Sequence, residues 1–410
     1  MLNKERIINL LQWFILLAMF AYDGFTYLPE ESNFALLKSV YYVFIFTAFV
    51  LIACLQMREA KLPVHPTNLI SYGIQIFVWL YFVRLFYDFM IAGVEQEIVT
   101  NPFAAVFLYV NAAIVPFYGF QFFRWDLINL RKLNTVALLI FLTMGTISMS
   151  YILSGKALEY IGSDGRFMGN ASMDTIGFGH LGTTITLLAI SLFYQKGINI
   201  LHKLLSLWAI VTGLFISVAA GSRGALVALI ICFIAYLYIN GHKMKVLIGL
   251  PILAVLLLAL LPILNDFLLN TMDNHALERL YNSIYALENM DNDVTSGRDI
   301  LYDKAWHNFI NSPLIGSTLF IEGEYVHNSV LESFMGMGIF GGLLFIIMVI
   351  YSLVVAFHMA EQEKQYLFCT LLFVQYLSYS LFSRTLSMLP LFWMSLYLVH
   401  TLNTYRTQKT

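Results

Sequence analysis

Long apolar runs separated by short polar stretches dominate the pattern of this 410-residue chain. A membrane's hydrocarbon core, about 30 Å thick, is crossed by roughly 20 mostly apolar helical residues. The pattern therefore predicts an all-α, polytopic integral membrane protein with about twelve transmembrane helices and one large loop of short helices. The expected spans are 7–22, 34–56, 68–90, 103–122, 135–153, 174–194, 201–219, 224–240, 245–264, 328–357, 366–382 and 385–401.

The spans divide the chain into three parts. Residues 1–264 carry the first nine predicted helices, and residues 265–326 form the large loop. Residues 327–410 carry the last three helices and the C-terminal tail. Within the loop, residues 275–288 have apolar positions at helical spacing and predict an amphipathic helix.

Composition supports a membrane protein. Hydrophobic residues make up 59% of the chain and charged residues 12%, which is far from a soluble globular composition. The three cysteines fall in separate spans without paired spacing, so we expect no disulfide framework, no metal site and no cofactor. No basic tract interleaved with aromatic residues points to nucleic acid as a partner.

The distribution of Lys and Arg predicts the orientation. Cytoplasmic loops carry an excess of cations, and placing the N-terminus inside satisfies this rule at nearly every connection. Both termini are then cytoplasmic, and the loop 265–326 lies on the opposite, periplasmic side. A few arginines remain on that disfavoured side, including Arg166, Arg223 and Arg298. Because the guanidinium fork suits phosphate, these arginines predict an anionic ligand there.

Helix starts coincide with two of these arginines. Arg223 directly precedes the predicted span 224–240. Ser296 and Asp299 resemble a capping box, so Arg298 lies in the first turn of a helix that Pro313 ends. A helix N-terminus with an adjacent arginine is a suitable phosphate site. The alternatives are that Arg223 anchors its span at the interface and that Arg298 is an ordinary exposed loop residue.

His327 is the candidate base. It precedes Asn328 at the start of a span, where the positive helix end disfavours imidazolium, and a neutral imidazole can accept a proton. The alternative is that His327 only caps the helix. Glu332 lies further along the same helix, either as a structural hydrogen-bond partner or as a group that orients the site together with Asn328.

Other polar residues in predicted spans have structural interpretations. Arg84 and Asp88, four residues apart, are expected to form an intrahelical ion pair. His180 is expected to pack between helices. Arg384 is interpreted as a local anchor between the last two spans, with phosphate binding as the alternative.

The chain resembles the O-antigen polymerase and O-antigen ligase family over roughly residues 160–350. The resemblance depends on the order and spacing of short motifs on one face of the membrane. These motifs are Gly165–Asn170, Gly221–Ala225, Ser296–Arg298, Asn311–Gly316, His327–Glu332 and the following Gly336, Gly338, Gly341 and Gly342.

The resemblance implies a function. In that family a glycan on undecaprenyl pyrophosphate is transferred to a sugar hydroxyl at the periplasmic face of the bacterial inner membrane, without a metal or a nucleotide sugar. Carried over, Arg223 and Arg298 bind the donor pyrophosphate and His327 activates the acceptor hydroxyl. Arg166 is a further candidate for the phosphates or for an acidic sugar.

The compact turn at 313–316 and the glycine-rich run after His327 favour a polymerase, whose acceptor is another lipid-linked repeat unit. An O-antigen ligase, which transfers glycan to lipid A-core, is the alternative, and a capsule or exopolysaccharide polymerase would show the same features. A transporter or flippase is disfavoured because the candidate charges lie at helix ends and not at the bilayer midplane. Membrane lipid and a chain-length regulator protein are candidate partners.

Overall fold

A computed structural model describes residues 4–22, 34–57, 69–94, 102–154, 167–168, 174–195, 197–241 and 298–409. These residues are almost entirely helical, which confirms the predicted all-α class. The α-helices are α1 Lys4–Phe20, α2 Phe34–Met57, α3 Leu69–Phe86, α4 Pro102–Tyr109, α5 Val115–Gly119, α6 Leu130–Leu153, α7 Thr175–Phe193, α8 Ile200–Ala219, α9 Arg223–Ile239, α10 Arg298–Asn311, α11 Ser329–Gln362, α12 Leu367–Phe382 and α13 Pro390–Lys409.

Seven segments in the described part of the chain are long and apolar enough to cross a membrane, by length and composition. The protein is therefore a multi-pass membrane protein. The predicted total of twelve spans and the periplasmic position of the loop stay predictions. The predicted span 245–264 and the amphipathic helix 275–288 lie outside the described residues. The seven segments are Val40–Met57, Ile70–Ile91, Ala105–Phe122, Leu130–Leu153, Thr175–Phe193, Ile200–Ala219 and Ser329–Gln362.

Helix α7 packs against both α8 and α12. It packs closely on α8 because glycines replace side chains at the contact, and a Cβ on Gly182 would lie 2.5 Å from the carbonyl oxygen of Gly213. Small residues allow such close approach between membrane helices. On another face, the Gln375 amide of α12 donates to the His180 carbonyl at 2.9 Å and to Thr184 Oγ1 at 2.8 Å. These buried bonds fix α12 against α7.

A short hairpin ties the loop to α3. Its strands, β1 Phe320–Ile321 and β2 Glu324–Tyr325, are antiparallel. Asp88, in a π-helical turn that extends α3, accepts a hydrogen bond from the Leu319 backbone N–H at 2.8 Å. The same carboxylate lies 2.6 Å from Arg84, which confirms the predicted intrahelical ion pair.

Helix α11 is broken at Gly338, which has φ of +67°. A Cβ there would lie 2.3 Å from the Leu314 carbonyl oxygen, and the next residue, Ile339, donates its N–H to the Pro313 carbonyl at 2.7 Å. The turn 313–316 is thus seated against the break. Hydropathy predicted one continuous span at 328–357, because an apolar pattern carries no information on backbone dihedrals.

Candidate functional site

Arg298, His327 and the start of α9 contact the last residue of α12 and the connection that follows it, residues 382–389, here called the junction. Arg298 donates a hydrogen bond to the carbonyl oxygen of Phe382. His327 Nδ1 lies 3.0 Å from the carbonyl oxygen of the next residue, Ser383. Gly224 lies against the same serine, since a Cβ on Gly224 would be 3.0 Å from Ser383 Oγ. The structure therefore gathers α9, α10 and the start of α11 at one place.

The two arginines occupy the positions that the sequence predicted. Arg223 and Arg298 are the first residues of α9 and α10, and both are partly buried. The exposed amides and the positive dipole end of each helix lie at these residues. Arg298 is bonded to another element of the fold, so it is not an ordinary loop residue. Two helix starts therefore bring positive potential to the junction.

His327 is held in an unusual backbone conformation, with φ of +58°. Side chains rarely adopt this left-handed region, although histidine tolerates it better than most. The carbonyl oxygen of Ser383 can only accept, so Nδ1 carries the proton of the neutral ring and donates it. Nε2 is then left with its lone pair. This tautomer is the one that a general base needs.

The surroundings of His327 keep it neutral. Burial lowers its pKa below the ordinary value of 6.5, and the charges of Arg298 and Arg384 lower it further, while the hydrogen bond to Ser383 opposes them. Tyr325 covers one side of the ring, with the centroids 4.3 Å apart. At neutral pH the imidazole is therefore uncharged and can take up a proton.

Asn328 is the N-cap of α11. Its side-chain oxygen accepts from the backbone N–H of Val330 at 3.0 Å and of Leu331 at 3.1 Å. The capping role that His327 could have had thus belongs to Asn328, and the imidazole is available for other contacts.

Glu332 is fully buried and holds the junction in place. Its Oε1 accepts hydrogen bonds from the Tyr81 hydroxyl, from Thr385 Oγ1 at 2.8 Å and from the Leu386 N–H at 3.4 Å. The structural interpretation of Glu332 fits these contacts. Any orientation of His327 by Glu332 acts through the junction, because Thr385 is two residues from Ser383.

The structure adds Arg384 to the site. Its guanidinium pairs with Asp174, at the start of α7, and its Nε donates to the Tyr379 hydroxyl at 3.1 Å. The sequence favours a local anchor for Arg384, with phosphate binding as the alternative. The available signal was a cation on the side of the membrane that disfavours cations.

Arg166 lies outside the described residues, so its role stays a prediction. Phe167, the next residue, is buried with 2% of its surface exposed. Among the described residues, no group of three His, Cys, Asp or Glu side chains is arranged to hold a metal ion.

Fold and site together define a multi-pass membrane protein with a guanidinium and imidazole site at helix ends. Residues 208–346 match a protein family model described as O-antigen ligase. This match confirms the family resemblance and covers Arg223, Arg298, His327 and Glu332. The match supports an O-antigen ligase or polymerase type of enzyme. A search of curated proteins found no match to the chain.

Proposed function

We propose that the protein is a polysaccharide polymerase that moves a glycan from undecaprenyl pyrophosphate to a sugar hydroxyl of another lipid-linked repeat unit. The observation that carries this proposal is the pair of neighbouring carbonyls at the junction. Phe382 accepts from Arg298, and Ser383 accepts from His327. A phosphate-binding cation and a proton acceptor are thereby held side by side.

The donor pyrophosphate binds to Arg223 and Arg298 in this proposal. Both side chains stand at helix N-termini, where backbone amides and the helix dipole also attract anions. As the glycosidic bond breaks, negative charge develops on the leaving pyrophosphate. Fixed guanidinium groups stabilise that charge without reorganising at the moment of reaction. Arg166 is a further candidate for these phosphates.

The acceptor hydroxyl is activated by His327. Nε2 takes the hydroxyl proton while the oxygen attacks the anomeric carbon of the donor sugar. The new glycosidic bond forms as the bond from that carbon to the pyrophosphate oxygen breaks, and the bonding electrons leave with the pyrophosphate. Attack from the face opposite the leaving group inverts the anomeric centre.

The reaction site faces the periplasm of the bacterial inner membrane in this proposal. The positive-inside distribution of Lys and Arg supports that orientation, as does the position of all three groups at the same ends of their helices. A lipid-linked substrate reaches such a site from within the bilayer. A chain-length regulator protein as a partner stays a prediction.

An O-antigen ligase is the second candidate, and the description of the matching family favours it. The compact turn at 313–316 and the glycines after His327 favour the polymerase. The choice changes only the acceptor, because the arginines and the histidine would serve both reactions.

Incubating purified protein with undecaprenyl-pyrophosphate-linked repeat units, with and without lipid A-core, tests the proposal. We expect a ladder of polymers from the lipid-linked units alone. A product that forms only with lipid A-core would identify a ligase instead. Movement of the lipid-linked unit across liposomes without any new linkage would identify a transporter.

A further inference from the structure

Four large apolar side chains are exposed on α10 and on the turn that follows it. They are Trp306, Ile310, Leu314 and Ile315, here called the anchor surface. Trp306 and Ile310 are four residues apart, so they lie on one face of α10. Leu314 is 63% exposed and Ile315 is 79% exposed. Exposed apolar surface of this kind marks a contact with another protein or with a membrane.

The neighbouring half of α11 indicates that lipid covers this surface. Helix α11 is one of the segments that are long and apolar enough to cross a membrane. After the break at Gly338, its exposed apolar residues recur every three or four positions, which places them on one face of the helix. In a membrane-spanning helix such a face contacts lipid. The residues of this lipid-facing stripe are Phe340, Leu343, Ile347, Ile350 and Val354.

The anchor surface adjoins the start of the lipid-facing stripe. Ile339, the residue before the stripe, donates its N–H to the Pro313 carbonyl at 2.7 Å. The turn 313–316 is therefore level with the point at which α11 enters the hydrocarbon. Leu314 and Ile315 are exposed at that depth, where water is replaced by acyl chains.

Trp306 lies further from the hydrocarbon than this turn does. Its ring packs on Phe309, with the centroids 5.3 Å apart, and Phe309 packs on Phe334 of α11 at 5.2 Å. Phe334 precedes the break at Gly338 by about one helical turn. Trp306 is therefore level with the headgroup layer, where tryptophan is enriched because its ring is apolar and its indole N–H is polar.

We propose that the anchor surface inserts into the lipid interface on the side of the membrane that carries the junction. Helices that lie at this interface bury their apolar face about 5–10 Å into the boundary between headgroups and acyl chains. Lys304 lies on a different face of α10 and pairs with Glu322 of the hairpin at 2.7 Å, so the polar contacts of the helix are directed away from lipid. Because Arg298 begins the same helix and bonds the junction, α10 connects the junction to the lipid surface.

Fluorescent labels on single cysteines test the proposal in nanodiscs that contain the full-length protein. Cys54, the exposed native cysteine, is first replaced by serine. Leu314→Cys and Ile315→Cys are each labelled with an environment-sensitive dye, and both positions are exposed, so the fold should tolerate the change. The lipids carry nitroxide quenchers either near the headgroup or near the end of the acyl chain. We expect a blue shift of both labels and stronger quenching by the nitroxides near the headgroup.

Two controls calibrate the depth. Ile350→Cys replaces a residue in the middle of the lipid-facing stripe, so its label should be quenched most by the deep nitroxides. Glu324→Cys replaces an exposed residue of β2, so its label should emit as in water and be quenched by a soluble nitroxide.

The inference is overturned if the labels at 314 and 315 emit as in water and respond only to the soluble quencher. Protection of these labels only after another protein is added would overturn it too, and would assign the surface to a protein partner. No glycan transfer is measured, so the result does not depend on the proposed function.

Discussion

Thr385 Oγ1 donates a hydrogen bond of 2.8 Å to the carboxylate of Glu332, which joins the junction to the first turn of α11. The Tyr81 hydroxyl, from α3, bonds to the same oxygen. Two elements far apart in sequence, α3 and the junction, thus share one acceptor on α11. The carbonyls that receive Arg298 and His327 lie three and two residues before Thr385, respectively, so their position depends on this buried contact.

The first prediction concerns Glu332. Glu332→Ala removes the acceptor that the Tyr81 and Thr385 hydroxyls share, so we expect a loss of roughly 1–3 kcal/mol in unfolding free energy and a fall in turnover. Glu332→Gln keeps an oxygen at the same place and should restore most of both. Thermal unfolding in detergent and glycan transfer are measured together. Equal damage from both variants would show that the charge itself is required and that positioning is not the main role.

The second prediction concerns the proposed base. His327→Ala should lower glycan transfer by roughly 10²–10⁴-fold, the range typical of a lost general base, with membrane insertion and abundance unchanged. His307→Ala is the control, because this histidine is exposed on α10 and its Nδ1 lies beside a backbone carbonyl of its own helix. Substantial residual activity in His327→Ala would remove the general-base assignment.

The third prediction concerns the arginines. Lysine keeps the charge of Arg223 or Arg298 but cannot make a two-pronged contact with phosphate. We expect each Lys variant to lose roughly 10-fold to 100-fold in transfer rate, in line with one charged hydrogen bond. Arg124→Lys is the matched control, because Arg124 bonds Asp126 and Glu5 away from the junction. Wild-type rates in Arg223→Lys would favour the alternative role of interface anchor.

The fourth prediction concerns pH. Only neutral His327 can accept a proton, and its pKa lies below the ordinary 6.5, so transfer should fall on the acid side of neutral, at lower pH than for an ordinary imidazole. The unfolded chain takes up the proton at the ordinary pKa, so acid in the same range also favours unfolding. Arg298→Gln removes a charge that lowers the pKa of His327. That pKa should therefore rise, and the acid limb of the remaining transfer rate should move to higher pH. If the acid limb of the pH–rate profile does not move, protonation of His327 is not its cause.

The fifth prediction concerns the break in α11. Gly338→Ala places a methyl group 2.3 Å from the Leu314 carbonyl oxygen at a positive φ, so both contact and backbone strain oppose it. Gly241→Ala is the control, with φ of +75° and open space, and should cost about 1–2 kcal/mol from strain alone. Thermal unfolding should therefore separate the two variants. Equal midpoints would mean that the turn at 313–316 moves aside easily.

Local signals in the sequence predicted the parts of the site that depend on helix ends. Arg298 is the first residue of its helix, while the predicted cap at Ser296 lies outside the described residues, and the helix ends at Asn311, close to the expected stop at Pro313. Arg223 likewise stands at the start of its helix, α9. Apolar runs also predicted the positions of most described helices, because a helix that crosses lipid needs apolar side chains.

The remaining parts depend on contacts between distant segments. Asp174 and Arg384 come together only because α7 packs on α12, and the partner of Glu332 is Tyr81 on α3. No local pattern encodes these pairs. The break at Gly338 was missed for a different reason, because glycine within an apolar run is common in membrane helices and most such glycines do not interrupt the helix.

The interruption at Gly338 also bears on how the protein responds to its lipid environment. Residues 339–362 alone are long enough, at about 1.5 Å per residue, to traverse about 30 Å of hydrocarbon. The preceding turns, which follow His327, are held by the hydrogen bond from the Ser317 N–H to the Met335 carbonyl. The spanning half begins at Ile339, whose N–H bonds the Pro313 carbonyl, so a change of its tilt in a thinner or thicker bilayer would act directly on the 313–316 turn.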